Sequence, residues 1–450
     1  MTGDDHNQGL TAREAGVDDQ MDLLSSEQAA DPADKLLFRL CLSLFFIWGF
    51  ATVLIDILVP KLKALFILSF AEVMLTQFAF FIGYLVFSLP AGAIVRRFGY
   101  MRGIIAGLGI MALGCLLFIP ATRFGVFGGF LLALFVMASG VTTLQVAANA
   151  VITLAGPQGT SSARLTLAQA FNSLGTTLGP LIGARLILSD DLVAIDPERL
   201  SAPALAAQRA VEANAVALPF IGIAIALVLL MAVFWMRRDM LTAAAPDRSH
   251  GLVNASLLRR PRLVFGVLAI FAYVGAEVSI GSLLANYLMQ PSLLATTALQ
   301  AGQLVSLYWG GAMIGRFLGA WVLGHIRPGL VLAVHALSAI LLASLSASSS
   351  GWMAAAAILA VGLANSIMFP TIFSLALRDL GEDTPGGSAL LCLGIVGGAI
   401  VPLASGFVAD HFGMAVALAV PILCYAWVAF YGLFCLRLTN ATSLPPVAGH

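Results

Sequence analysis

From Phe38 almost to the C-terminus, apolar runs follow one another with only short interruptions. Each run is about as long as a helix must be to cross a bilayer core, roughly 20 residues. The interruptions fall at Pro60 to Phe70, Arg96 to Arg102, Ala121 to Phe124, Gly156 to Ala163, Ser189 to Asn214, Arg237 to Arg262, Gln290 to Thr297, His325 to Gly329, Ser346 to Gly351, Arg378 to Asp383 and His411 to Met414. These eleven breaks delimit twelve runs. The runs show no strand-like alternation, and in lipid only helices or closed barrels satisfy every backbone group. The chain is therefore expected to be an all-α membrane protein with twelve transmembrane helices.

Composition agrees with this. Of 450 residues, 60% are apolar and 10% charged, against about 25% charged in soluble domains. Lys and Arg number 23, as do Asp and Glu. No basic surface for nucleic acid follows, so the bilayer, and not nucleic acid, is the expected macroscopic partner. Cys41, Cys115, Cys392, Cys424 and Cys435 fall singly in apolar stretches and read as small buried hydrophobes. No metal site is expected. No nucleophile, base and orienting group recur at catalytic spacing, so an enzyme is not expected either.

The first 34 residues carry nine acids and Arg13, with no apolar run behind a basic start. They read as a disordered cytoplasmic tail and not as a cleavable signal. With that tail inside, 16 basic residues lie on the cytoplasmic side, six outside, and Arg316 within a span. Both termini are then cytoplasmic by the positive-inside rule. The largest basic cluster, from Arg237 to Arg262, follows the sixth run. The expected organisation is a tail (1–37), a six-helix half (38–237), a cytoplasmic linker (238–260), a second six-helix half (261–438) and a short tail (439–450). Gly140 and Gly362, and Gly175 with Pro180 against Gly397 with Pro402, repeat at an offset of 222, and Gly83 and Gly311 at 228. Two pseudo-symmetric halves of this kind imply a secondary transporter with its site between them.

A charge inside a span costs at least about 2.5–3.5 kcal/mol and marks function by default. Only Asp56, in span one, and Glu277, in span seven, are acids set well inside apolar helices. A carboxylate facing a partly dry cavity can exchange protons near neutral pH, which makes both proton-coupling candidates. Asp56 also reads as a cap or lock on a helix broken near Pro60, and Glu277 as half of a structural pair. Neutral polar residues share helical faces: Gln145 with Asn149, Gln169 with Asn172, and Tyr273 with Glu277 and Asn286. Trp309 and Asn365 add an aromatic plate and an amide. Amides pair with adjacent hydroxyls and rings cover C–H faces, so the set suits a sugar; the same amides also serve as interhelical glue. Arg164 and Arg316 lie toward the cytoplasmic ends of spans five and eight and are gating candidates, as snorkelling groups or as caps on helix C-termini. His335 reads as a structural histidine.

Gly92-Ala-Ile-Val-Arg96-Arg97-Phe-Gly99 resembles the signature loop of the major facilitator superfamily, without the usual acid before the basic pair. Arg96 and Arg97 are gating candidates through that resemblance. The set Phe46-Ile-Trp-Gly-Phe50 with Asp56, Gln77-Phe-Ala-Phe-Phe-Ile-Gly-Tyr84, Ala147-Ala-Asn149, Arg164 to Gly175, Tyr308-Trp-Gly-Gly-Ala-Met-Ile-Gly-Arg316-Phe and Asn365 to Ser374 is more specific. It is similar to the fucose–galactose–glucose proton symporters, and within them to the bacterial glucose/galactose branch.

The resemblance implies the major facilitator fold and a bacterial inner-membrane importer that moves a hexose with a proton by rocking its halves. Fucose permeases of this family couple through two acids, in spans one and four. Asp56 matches the first, whereas Gln145, an amide that cannot titrate, stands at the second, leaving Glu277 for any second acidic role. Gln145, Asn149, Gln169, Asn172, Tyr273, Glu277, Asn286 and Asn365 would meet sugar hydroxyls and Trp309 would stack on the ring. The expected partner is a small-molecule sugar, with no cofactor beyond the proton as coupling ion and with the chain acting as a monomer. An N-acetylated amino sugar or fucose is the alternative substrate, and export of lipophilic compounds the alternative function.

Overall fold

The computed structural model describes residues 36–52, 70–124, 126–187, 202–239 and 255–442. Asp56, most of the acidic tail, most of the loop between the halves and the last eight residues lie outside the described residues.

The first half comprises α1 (Leu36–Thr52), α2 (Phe70–Phe98), α3 (Tyr100–Phe124), α4 (Phe127–Leu154), α5 (Ser161–Ile187) and α6 (Ala202–Met236). The second comprises α7 (Pro261–Leu288), α8 (Ala298–Leu323), α9 (Pro328–Ser348), α10, α11 and α12. Two of these are interrupted: α10a (Gly351–Asn365) gives way to α10b (Met368–Leu377), and α11a (Thr384–Gly394) to α11b (Gly397–Phe412). A single turn, Met414–Ala417, leads into α12 (Ala419–Thr442). Among the described residues, nine helices are long and apolar enough to cross a membrane. With α1, α5 and α8 they fill the twelve positions read from the sequence.

Local chemistry sets the helix ends. Gly99 takes a left-handed φ of 86° and closes α2 by donating to the Val95 carbonyl at 2.7 Å, the cap that glycine adopts without Cβ strain. Pro261 and Pro328 occupy the first turns of α7 and α9, where no N–H is missed. Thr297 and Gln300 form a reciprocal capping box at the start of α8. One boundary departs from expectation. The stretch to Asn214 reads as an interruption, but α6 already begins at Ala202. Its first turns are Ala-rich, hence strongly helical, while too polar for lipid, and the apolar window starts only at Leu218.

The halves repeat their packing. Helix α3 lies against α4 and α6, and α2 against α4; correspondingly α9 lies against α10a and α12, and α8 against α10a. A Cβ added to Gly175 would collide with the Phe46 carbonyl oxygen, and one added to Gly397 with that of Phe271. The two glycines thus bring α5 onto α1 and α11 onto α7 in the same way. Gly140 and Gly362 do not share a neighbour: the first meets Met111 of α3 and the second Tyr308 of α8.

Between the halves, α5 packs on α8 and α10b, while α2 and α4 pack on α11a. In α4 every residue from Met137 to Thr153 is buried, so this helix is core on all sides. On the periphery Trp321, Leu341, Trp352, Leu403 and Leu423 are all exposed, an arrangement suited to lipid and costly in water.

Candidate functional site

The chemistry collects around the break in α10. Pro370 has no N–H to give the Ser366 carbonyl four residues back, so the helix ladder stops there. Ser366 and Ile367 form the turn between α10a and α10b. Three consecutive carbonyls then receive side-chain donors from three other helices. His335 of α9 donates from Nδ1 to the Ala364 oxygen at 2.9 Å. The Tyr273 hydroxyl of α7 lies 3.2 Å from the Asn365 oxygen and shares its one proton between that carbonyl and Glu277. Arg316 of α8 donates from Nε to the Ser366 oxygen at 3.2 Å. An unsatisfied carbonyl in the membrane core costs several kcal/mol, so the break draws these side chains together. His335 is accordingly a structural histidine.

Glu277 stands at the centre of this group. Its Oε1 accepts from the Tyr273 hydroxyl at 2.7 Å and faces Arg316 Nη2 at 3.9 Å. The two charged side chains are 15% and 16% exposed, dry enough that removing one partner from such a pair costs about 3–5 kcal/mol. Asn365 donates from Nδ2 to the Tyr308 hydroxyl at 2.7 Å, with the Tyr425 hydroxyl of α12 beside it. The remaining guanidinium nitrogen, Nη1, donates to Ser173 Oγ of α5, in the other half.

A second polar group lies in the first half. Gln145 is buried and donates from Nε2 to the Tyr84 hydroxyl at 3.0 Å, while its Oε1 has no partner among the described residues. One turn on, Asn149 is fully buried and neither its Oδ1 nor its Nδ2 has a partner among the described residues. The two amides share a face of a helix packed on the opposite half, so their open hydrogen-bonding capacity suits a polar guest.

The other predicted residues are placed as follows. Asn172 donates to the Phe45 carbonyl at 3.0 Å and ties α5 to α1, whereas Gln169 is buried with no side-chain hydrogen bond among the described residues. Trp309 makes an edge contact with Tyr308 and lies over Gly281 of α7, one turn beyond Glu277. Asn286 is exposed, about 13 Å along α7 from Glu277 at the helical rise, and does not join the cluster. Arg164 caps its own half: it donates to the carbonyls of Ile152, Thr153, Gly156 and Pro157 and to Thr160 Oγ1, at 2.6 to 3.3 Å. Arg96 and Arg97 lie in the last turn of α2, with Arg97 over the Phe98 ring. Asp56 lies outside the described residues.

Sequence reading missed Tyr84, Tyr308, Tyr425, Ser173 and Ser366. Tyr84 and Tyr308 stand inside the family-like segments, and Pro370 four residues after Ser366 was the available sign of a broken helix. Tyr425 carries no local signal.

Known proteins agree with this architecture. The chain is 48% identical over 390 residues to a glucose/galactose transporter of Brucella abortus, covering 87% of this chain and 92% of that one. It is 36% identical over 424 residues to the L-fucose-proton symporter of Escherichia coli, covering 90% and 94%. The crystal structure of the transporter FucP in the outward conformation superposes with a TM-score of 0.83 at 33% identity, covering 90% of this chain and 99% of that one. Residues 40–391 match the family model described as Major Facilitator Superfamily. Repeated helix packing in the two halves, a buried polar cluster tied across them through Arg316 and Ser173, and these likenesses converge, and the chain belongs to the major facilitator superfamily.

Proposed function

We propose that the protein is a proton-coupled importer of a hexose of the glucose or galactose type, in a bacterial inner membrane with both termini cytoplasmic. The observation that carries this reading is the buried network of Tyr273, Glu277, Tyr308, Arg316 and Asn365 in an otherwise apolar bundle. Its setting is a chain 48% identical to a protein named as a glucose/galactose transporter. Amide and hydroxyl groups that serve as donor and acceptor at once fit paired sugar hydroxyls, and a wholly apolar guest would leave Asn149 and Gln145 unsatisfied. The alternative of a lipophilic substrate is therefore the weaker one. Each chain holds both halves of its site, which supports action as a monomer.

Coupling rests on Asp56 with a single partner acid, Glu277, because Gln145 does not titrate. Neutralising Asp56 lowers the cost of passing through a closed, dry intermediate. Counterflow with labelled glucose, galactose, fucose and an N-acetylated hexosamine, with and without a proton gradient, tests the reading. Glucose or galactose should exchange without the gradient and accumulate only with it. Asp56→Asn should abolish accumulation and retain exchange. Uphill uptake unchanged in that variant removes Asp56 from coupling, and transport of an apolar amine with no sugar removes the importer reading.

A further inference from the structure

All three guanidinium nitrogens of Arg316 are committed, each to a different helix. Nε holds the Ser366 carbonyl at the break in α10, Nη2 faces Glu277 of α7, and Nη1 reaches Ser173 of α5 across the boundary between the halves. The contacts around that last bond also cross between halves. Phe171 meets Phe317 edge to face, Thr177 lies against Met313 Sδ, and nearer the end where Arg260 and Arg262 pair with Asp383 and Asp379, the Arg-rich end, Ser162 Oγ bonds Ser374 Oγ at 2.6 Å. At the same end Ser388 donates to the Val146 carbonyl at 2.7 Å. Arg316 thus touches both the buried acid Glu277 and the surface on which the two halves meet.

We propose that Arg316 is a positioning residue that makes closure of the Arg-rich end depend on the charge of Glu277. The proposal rests on the transport reading for its purpose, but its geometry is independent of which solute is carried. A planar guanidinium moves as one rigid fork, so the direction of Nη1 follows the pull on Nη2. With Glu277 charged, the fork is held between α7 and α10, and Nη1 points at Ser173. When Glu277 is neutral, or its carboxylate is taken by a ligand, that restraint is lost and the Ser173 bond loosens. The groups surrounding Glu277 are Tyr273 on its own helix, Tyr308 and Arg316 of α8, and Tyr425 of α12; Arg316 is the one cation among them.

The test uses the close pair Ser162 and Ser374 as a reporter. In full-length protein in proteoliposomes, Ser162→Cys with Ser374→Cys should form an oxidative cross-link, and its rate reads the closed fraction. Adding Glu277→Gln should slow the cross-link about three- to tenfold, the scale of one ordinary net hydrogen bond. Ser173→Ala should slow it similarly, and the two together no more than either alone, because both cut the same tie. Arg316→Lys, which keeps the charge but not the fork, should resemble the pair. An unchanged rate in Glu277→Gln, or additive effects of Glu277→Gln and Ser173→Ala, overturns the proposal and leaves Arg316 as a static strut. None of these arms needs sugar, so a failed counterflow assay would count against the transport reading alone.

Discussion

Individual polar residues here are spent on two different tasks, and their partners tell them apart. Arg164 and Arg316 look alike in the sequence, each a basic residue near one end of a span. In the structure Arg164 satisfies the open carbonyls at the end of α4 and the loop beyond it, all within one half. Arg316 instead joins three helices and both halves. Arg164→Ala should therefore act on stability. Losing several charge-assisted bonds to carbonyls costs about 1–3 kcal/mol after water replaces some of them, read as a lower thermal midpoint in detergent. Arg164→Lys should recover only part, because an ammonium cannot fork. An unchanged midpoint would mean that the loop from Gly156 to Thr160 is held by other contacts. The sequence did single out Glu277, Tyr273 and Asn365 as members of one site, since intramembrane polar groups stand out against an apolar background. It had no means of showing that Tyr308 and Tyr425 complete the group, because no local pattern shows which face of a span a lone tyrosine occupies.

At the scale of the element, the helices divide into continuous spans and broken ones. The twelve runs and most of their ends were legible, since Gly99, Pro261, Pro328 and the Thr297–Gln300 box are local signals. The break in α10 was not read, although its cause is a single proline. Pro370→Ala restores an N–H that competes with Arg316 Nε for the Ser366 carbonyl. This variant should raise thermal stability or leave it unchanged while lowering the transport rate several-fold, as the freed guanidinium loses one of its three anchors. Wild-type transport in Pro370→Ala would show that the break is incidental to the cycle. The early start of α6 teaches the converse lesson: an Ala-rich segment stays helical after it has become too polar to lie in lipid.

For the molecule as a whole, the Arg-rich end carries ties between loop and helix ends. Arg262 pairs with Asp379 at 2.8 Å and Arg260 with Asp383 at 3.3 Å; as pairs still partly open to water they are worth about 1 kcal/mol each and weaken with salt. Their placement bears on orientation more than on stability. A cysteine replacing the exposed Glu382 should react with a membrane-impermeant maleimide only after cells are permeabilised. Labelling in intact cells would invert the proposed topology.

The sequence by itself determined that this chain lives in a bilayer, that it is all-helical, and which acids are out of place there. Those properties are local: a run of apolar side chains or a buried charge is expensive or favourable whatever surrounds it. Only the tertiary structure decided that Glu277, Arg316, the Ser366 carbonyl and Ser173 meet, and that Asn286 stays apart. The reason is that lipid tails and protein core are both apolar, so a membrane helix has little polar stripe to reveal which face turns inward. Which helices come close enough to share a polar group is set by glycine contacts such as Gly175 with Phe46 and by the broken ladder at Pro370, and those act across distances in sequence that no local pattern spans.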